Sequence, residues 1–274
     1  MSIEKSIEKL LTWFKNVEKP VVVAFSGGVD SSVVLAVACR AIECENVFAV
    51  TAVSPIRFEE DLEWAKKVAQ QLGAKHIILE TDELSIPGFA TNPPNRCYIC
   101  KKNLASKLVE LAKKLNAKTI VDGSNISDLN SYRPGIQAFR EAGIRSPLAE
   151  LEIRKDVVRA IAKHLGLPNW SKPSNTCIAT RIPYGEAITL DKLRRIALAE
   201  KIVREITSVE VIRVRDHGYI ARIEVDPRER RKFFDEDILD RIVAELKKLG
   251  YKYVTLDLQG YRSGSLDELI TRSE

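Results

Sequence analysis

Apolar and polar positions alternate in two rhythms along the first part of the chain. Val21–Phe25 is a continuous apolar run, the pattern of a central parallel strand buried on both faces. Asp30–Cys44 is apolar with helical spacing, Val47–Val53 reads as a second strand, Glu59–Leu72 as a helix and His76–Glu80 as a third strand. Cys100–Leu115 carries Leu104, Leu108, Leu111 and Leu115 at spacings of three and four, which predicts a helix. Thr119–Asp122 is a short strand running into Asp-Gly, and Ile153–Leu165 is another amphipathic helix. Strands alternating with helices predict an α/β fold with a doubly wound parallel sheet, whose ligands lie beyond the C-terminal strand ends at a switch in strand order.

The rhythm changes near Gly185. Leu190–Ile206 reads as a long helix; Val209–Arg215 and Tyr219–Val225 flank Asp216-His217-Gly218 as a hairpin. A helix within Pro227–Leu249 and a strand at Tyr251–Leu258 complete a smaller C-terminal α+β unit. The expected division is residues 1–185, a nucleotide-binding domain with cysteine-bearing loops, and 186–274, a substrate-binding or oligomerisation domain.

Between the first strand and first helix of that sheet lies Ser26-Gly27-Gly28-Val29-Asp30-Ser31-Ser32. Glycines let the main chain approach an anion closely, and helix-start amides with the Ser26, Ser31 and Ser32 hydroxyls can cradle phosphate oxygens. No Lys-Ser or Lys-Thr follows the glycines, so this is not a Walker A loop. It resembles the PP-loop of the ATP pyrophosphatase superfamily, which cleaves ATP to AMP and pyrophosphate. Asp30 is then a candidate magnesium ligand. A tight turn capping a helix is the structural alternative. Asp122-Gly123-Ser124-Asn125 ends a strand at the same sheet edge, which makes Asp122, Gly123 and Asn125 candidates for nucleotide or metal contact.

The 274 residues are 45% apolar and 30% charged, as in a globular protein, with no apolar run of the roughly 20 residues a bilayer needs. The charged N-terminus lacks a signal-peptide core, so a cytoplasmic location is expected, and with it five reduced cysteines. Cys39 and Cys44 fall in or at the end of an apolar helix and read as packing residues. Cys97 and Cys100 form a C-x-x-C pair in a proline-rich loop leading into a helix, and Cys177 lies in another loop. Zinc wants a fourth ligand, and none of the three histidines stands in ligand-like spacing. A redox dithiol lacks its βαβ opening, whereas three thiolates suit an iron–sulfur cluster with one open iron. Spacing alone does not choose among these. Between Val157 and Gly185 there is no Asp or Glu, while Arg159, Lys163, Lys172 and Arg181 are basic, which predicts a positive loop around Cys177 or simply a solvated basic face.

Taken together, Arg96-Cys97-Tyr98-Ile99-Cys100-Lys101, Asp122-Gly123-Ser124-Asn125, Tyr132-Arg133-Pro134-Gly135, Arg145-Ser146-Pro147-Leu148, Cys177-Ile178-Ala179-Thr180-Arg181 and Pro183-Tyr184-Gly185 resemble the LarE family. Arg213-Val214-Arg215-Asp216-His217-Gly218 and Gly260-Tyr261-Arg262-Ser263-Gly264 extend the resemblance toward the C-terminus. Members of that family are PP-loop sulfur transferases of nickel-pincer nucleotide biosynthesis. The resemblance implies adenylation of a carboxylate on a pyridinium mononucleotide with ATP and Mg2+, then attack of sulfur to give a thiocarboxylate. With three cysteines the chain is similar to the type that carries a 4Fe–4S cluster on Cys97, Cys100 and Cys177, rather than the type in which the cysteine matching Cys177 gives up its own sulfur. It further implies substrate-phosphate binding by Arg213 and Arg215, ATP or substrate contacts by Lys101 and Arg181, a site role for Glu200, and a homo-oligomer; the sulfide donor stays open. A transfer RNA thiolase and an amidating ligase are the rival readings. The formal net charge of +5 gives the first little support, so no nucleic-acid or membrane partner is expected. An amidating ligase has no use for three loop cysteines.

Overall fold

The computed structural model describes residues 2–129, 134–173, 175–262, 264–265 and 268. The chain divides into two compact units, Met1–Asp82 with Asn95–Asn175, and Glu83–Pro94 with Thr176–Glu274. The expected 1–185 domain thus includes two segments, 83–94 and 176–185, that pack with the second unit. Short-range pattern does not reveal this, because the bonds that recruit them are long-range: the Ile188 amide donates to the Ala90 carbonyl at 2.8 Å, and Arg215 Nη1 donates to the Thr180 carbonyl at 2.7 Å.

The first unit runs α1 (Ile3–Lys15), β1 (Val21–Ala24), α2 (Val29–Ile42), β2 (Val47–Val53), α3 (Glu59–Leu72), β3 (Lys75–Glu80), α4 (Arg96–Lys114), β4 (Thr119–Val121), α5 (Ile126–Leu129), α6 (Pro134–Glu141), α7 (Pro147–Glu150) and α8 (Lys155–His164). Its four parallel strands are ordered β3-β2-β1-β4. Strand periodicity sends alternate residues to opposite faces. Val21, Val23, Val47 and Ala49 pack with α1, α2 and α8, while Val22 and Val50 pack with Leu104, Leu108 and Phe139 of α4 and α6. Helices on both faces make the sheet doubly wound. The order reverses between β1 and β4, which puts the ligand crevice at their C-terminal ends.

Three expectations change here. The N-terminal helix α1 was not legible as a separate element. Helix α4 starts at Arg96, so Cys97 lies in its first turn and Cys100 at the start of its second, rather than in a loop. Cys39 and Cys44, expected as reduced packing residues, are joined in a disulfide. Helix α2 ends at Ile42, and Glu43 adopts a φ of 66°, turning the chain back so that the two Cα atoms stand 4.2 Å apart. Expected compartment says nothing about such local geometry.

The second unit contains α9 (Leu190–Thr207), β5 (Ile212–His217), β6 (Ile220–Val225), α10 (Glu236–Lys248) and β7 (Tyr253–Leu256). Strands β5 and β6 form the expected hairpin, and β7 joins β6 in parallel after the α10 crossover. Ile212, Val214, Ala221, Ile223 and Val225 pack with Ala199 and Val203 of α9 and with Ile242 and Leu246 of α10. Period two then places Arg213 and Arg215 together on the other face.

Candidate active site

The glycine loop is shaped by contacts that only glycine permits. Gly27 has a φ of +71°, and a Cβ on it would stand 2.4 Å from the Asp61 carbonyl oxygen and 2.8 Å from the Ala65 amide nitrogen. The chain therefore passes against the first turns of α3 before entering α2. Gly28 caps α2 without a side-chain hydrogen bond, leaving first-turn amides for another acceptor. The serines hold the loop. Ser31 Oγ accepts from the Ser26 amide at 3.2 Å and donates to the Gly28 carbonyl at 3.1 Å; Ser32 Oγ donates to the same carbonyl at 2.8 Å. Asn169, 1% exposed, donates through Nδ2 to the Gly27 carbonyl and to Ser32 Oγ at 2.9 and 2.8 Å. Ser26 itself is exposed.

The segment after β4 lies against this loop. A Cβ on Gly123 would meet the Ser31 nitrogen at 2.6 Å, so the two turns touch through their backbones. Asp122 accepts from Ser124 Oγ at 2.5 Å and from Ser146 Oγ at 2.6 Å. Asn125, 1% exposed, donates to Asp30 Oδ1 at 3.3 Å, and Lys155 at the start of α8 forms an ion pair with Asp30 Oδ2. Both Asp30 oxygens are thus engaged, and a magnesium ion bound there would share or replace the lysine. The structure brings Ser26–Ser32, Asp122, Gly123 and Asn125 to one edge, as the motif order predicts. Sequence reasoning missed Lys155 and Asn169, whose partners lie 125 and 142 residues away.

Cys97 and Cys100 are half-buried thiols outside any disulfide. Lys101 follows them, its ammonium 4.2 Å from the centre of the Phe139 ring. Burial, then the charge of Arg57, pushes the Lys101 pKa down, while Asp122, Cys100 and Cys97 oppose that shift. Among the described residues no group of three or more His, Cys, Asp and Glu is gathered to hold a metal ion. Cys97 and Cys100 belong to the first unit, and Cys177 to the second. Tyr132 and Arg133 of the sequence motif, Ser174 and Ser263 lie outside the described residues.

In the second unit Cys177, also a half-buried thiol, caps the 3-10 turn Ile178–Arg181. Arg181 is fully buried and organises this turn. Its Nη1 donates to the Thr176 carbonyl at 2.9 Å, the Cys177 carbonyl at 3.1 Å and Thr180 Oγ1 at 2.9 Å. Its Nε and Nη2 donate to Glu200 at 2.7 and 3.0 Å, and Glu200 also accepts the Val214 amide at 3.0 Å. These contacts tie Arg181 and Glu200 to the Cys177 turn. Glu200 is fully buried.

Two of the four basic residues named in the stretch around Cys177 have acidic partners. Lys172 pairs with Asp61 at 2.7 Å and Arg181 with Glu200, acidic partners outside the stretch in sequence. Arg213 and Arg215 share a face and are 3% and 5% exposed. Arg215 pairs with Glu224 at 2.7 Å and donates to the Thr180 carbonyl at 2.7 Å. Arg213 stands 4.9 Å over the Tyr261 ring; burial, then the like charge of Arg181, lowers its pKa.

The chain is 39% identical over 254 residues to the pyridinium-3,5-bisthiocarboxylic acid mononucleotide synthase of Lactiplantibacillus plantarum, covering 93% of this chain and 91% of that one. It belongs to the LarE family. The NAD synthase family pattern matches residues 2–117, the stretch that holds the glycine loop. An uncharacterized protein of Synechocystis is 43% identical over 98% of this chain and 100% of its own length. An uncharacterized protein of Methanocaldococcus jannaschii is 32% identical over 91% of this chain and 93% of its own length. This LarE-family member is therefore an ATP-dependent, adenylating sulfurtransferase built on a PP-loop scaffold. Among the described residues no helix is long and apolar enough to cross a membrane.

Proposed function

We propose that this enzyme converts a carboxylate of a pyridinium dicarboxylate mononucleotide into a thiocarboxylate. The observation that carries the reading is the similarity to the Lactiplantibacillus synthase across 93% of the chain, together with a glycine loop whose free amides suit pyrophosphate. A substrate carboxylate oxygen attacks the α-phosphorus of ATP; the bond to the β-phosphate breaks and pyrophosphate leaves. A sulfur lone pair then attacks the acyl carbon, and the bond to AMP breaks as the C–S bond forms. Gly27, Gly28 and the serines grip the departing pyrophosphate, Asp30 helps to hold Mg2+, and Asp122 and Asn125 support the nucleotide from the β4 side. Arg213 and Arg215 take the substrate phosphate, for which planar guanidinium forks are suited.

The three thiols outside disulfides, Cys97, Cys100 and Cys177, are a donor set of the right chemistry for a 4Fe–4S cluster with one open iron. Held by these thiolates, such a cluster would supply sulfur as an extra sulfide. Cys97 and Cys100 stand three apart on helix α4 and so share a face. Self-association into a homo-oligomer, with a sulfide donor outside the chain, completes the reading.

Anaerobic turnover with ATP, Mg2+, sulfide and the pyridinium mononucleotide tests it, with mass spectrometry following thiocarboxylate formation and the mass of Cys177. A protein that makes no acyl-adenylate overturns the reading. Loss of 34 mass units from Cys177 (about one H2S, the balance for forming dehydroalanine from cysteine) replaces the cluster route with sacrifice of that sulfur. Unchanged iron and sulfide content in Cys97→Ala after reconstitution removes the cluster ligands.

A further inference from the structure

The two helices that shape the glycine loop meet again at their C-terminal ends, at one sulfur atom. Helix α2 starts at the Gly28 cap and carries Cys39 in its last turn. Helix α3 holds Asp61 and Ala65 against Gly27 and ends at Leu72. Cys44 stands between those ends: it is bonded to Cys39, and its Sγ lies 3.1 Å from the Leu72 carbonyl oxygen. That carbonyl belongs to the last turn of α3, whose carbonyls have no partner within the helix. A thiol donates a hydrogen bond to such an acceptor, whereas a disulfide sulfur has no proton to donate. Cys44 therefore has two mutually exclusive partners, Cys39 when oxidised and the Leu72 carbonyl when reduced. The other three cysteines, Cys97, Cys100 and Cys177, are free thiols.

The surroundings accommodate both states. Cys39 and Cys44 are half-buried, outside the fully enclosed core of the unit. The turn between them has its own bonds: Asn46 Nδ2 donates to the Ile42 carbonyl at 2.9 Å and the Asn46 amide to the Glu43 carbonyl at 3.0 Å, so reduction leaves it in place. We propose that Cys39 and Cys44 are a reversible thiol–disulfide pair that regulates ATP binding by moving Cys44 between α2 and α3. Oxidation takes one proton and one electron from each thiol as the S–S bond forms. A low-molecular-weight disulfide such as glutathione disulfide accepts them and is cleaved to two thiols; reduction is the reverse exchange. In the reduced state the Cys44 thiol ties the end of α3 to the end of α2, which keeps Asp61 and Ala65 against Gly27. Oxidation takes that donor from the Leu72 carbonyl and loosens α3 behind the loop. The pair acts on the ATP site alone, whichever way sulfur is delivered.

Anaerobically purified protein is equilibrated with a series of reduced and oxidised glutathione mixtures, quenched in acid and alkylated, and the peptides carrying Cys39 and Cys44 are read by mass spectrometry. Their disulfide fraction is expected to rise with the oxidised share; a fraction that stays fixed across the series, oxidised or reduced, overturns the reversible pair. Calorimetry with α,β-methylene ATP and Mg2+ then compares the two states. Oxidation is expected to weaken binding about two- to tenfold, the range of one net hydrogen bond. Equal affinity in the two states, tighter binding after oxidation, or no binding in either state contradicts the regulation. Cys39→Ser keeps the Cys44 thiol but blocks the S–S bond, so it should bind like the reduced wild type in every glutathione mixture. A shift as large as that of the wild type assigns the effect to Cys97, Cys100 or Cys177 and removes the pair from it. Cys44→Ala lacks both the bond and the donor and should bind as weakly as the oxidised wild type; binding like the reduced form rules out the Leu72 contact as the link. If Cys39→Ser does not fold, Cys39→Ala serves in its place. Because binding is read without turnover, a failure of sulfur transfer leaves this result standing.

Discussion

Arg181 and Glu200 face each other out of contact with water, joined by two hydrogen bonds of 2.7 and 3.0 Å, and through Arg181 the pair holds the Cys177 turn. Removing one partner strands the other charge. Glu200→Ala is expected to destabilise the protein by roughly 3–5 kcal/mol, read by urea unfolding. The double variant Arg181→Met/Glu200→Leu should cost less than Glu200→Ala. Alkylation of Cys177 by iodoacetamide should speed up in Arg181→Met, since the turn loses its tether; an unchanged rate removes the positioning role.

Gly27 and Gly143 have similar backbone angles, +71° and +75°, but Gly143 has nothing within 4 Å of a Cβ position. Alanine at Gly143 meets only the backbone penalty, about 1–2 kcal/mol. Gly27→Ala must also displace α3, so it should cost visibly more and abolish binding of α,β-methylene ATP. Equal melting temperatures for the two variants contradict this contact.

Asn169→Ala leaves the Gly27 carbonyl without its buried donor, at about 1–3 kcal/mol. The loop geometry suffers with it. ATP affinity should fall more than affinity for the pyridinium substrate, a split that competition binding measures; an equal fall in both points to general unfolding.

The Lys155–Asp30 pair is partly exposed, its side chains 30% and 22% accessible. Screening keeps its worth to stability at about 1 kcal/mol or less. Lys155→Met is expected to change the melting temperature little while altering the Mg2+ dependence of ATP binding, because Asp30 is then free to take the metal alone. Identical Mg2+ titrations in the variant and wild type remove that coupling.

His76, bonded to Thr51 Oγ1 at 2.8 Å, has its pKa lowered by burial and then by Lys66. The unfolded chain, titrating at about 6.5, binds the proton more readily than the folded one. Its contribution is therefore present above that pH, falls as pH drops through it and levels off below the folded value. His217 is shifted in the same direction by burial and Arg222. Wild-type unfolding free energy should decline below about pH 6.5, with a shallower slope in His76→Gln.

Much of the first unit was legible because its signals are local. Strands β2 and β3 and helix α3 follow runs whose periodicity is complete within a few residues of each boundary. The start of α4 was misplaced because Pro93 and Pro94 outweighed the weak helical pattern of Cys97 and Cys100. The pairing of Lys172 and Arg181 was not legible for another reason: their carboxylates, Asp61 and Glu200, come from elsewhere in the chain.

By itself the sequence determined the alternation of strand and helix, the glycine loop that ends β1, the three thiols and the family they point to. Those properties depend on residue type and short spacing, and segments only a few residues long carry them. The tertiary structure alone decided that Asn169 holds that loop, that Lys155 occupies Asp30, and that Arg181 serves Glu200 and the Cys177 turn. Each of these pairs unites residues far apart or on different elements, and only packing, which removes water and brings charges within reach, gives them partners.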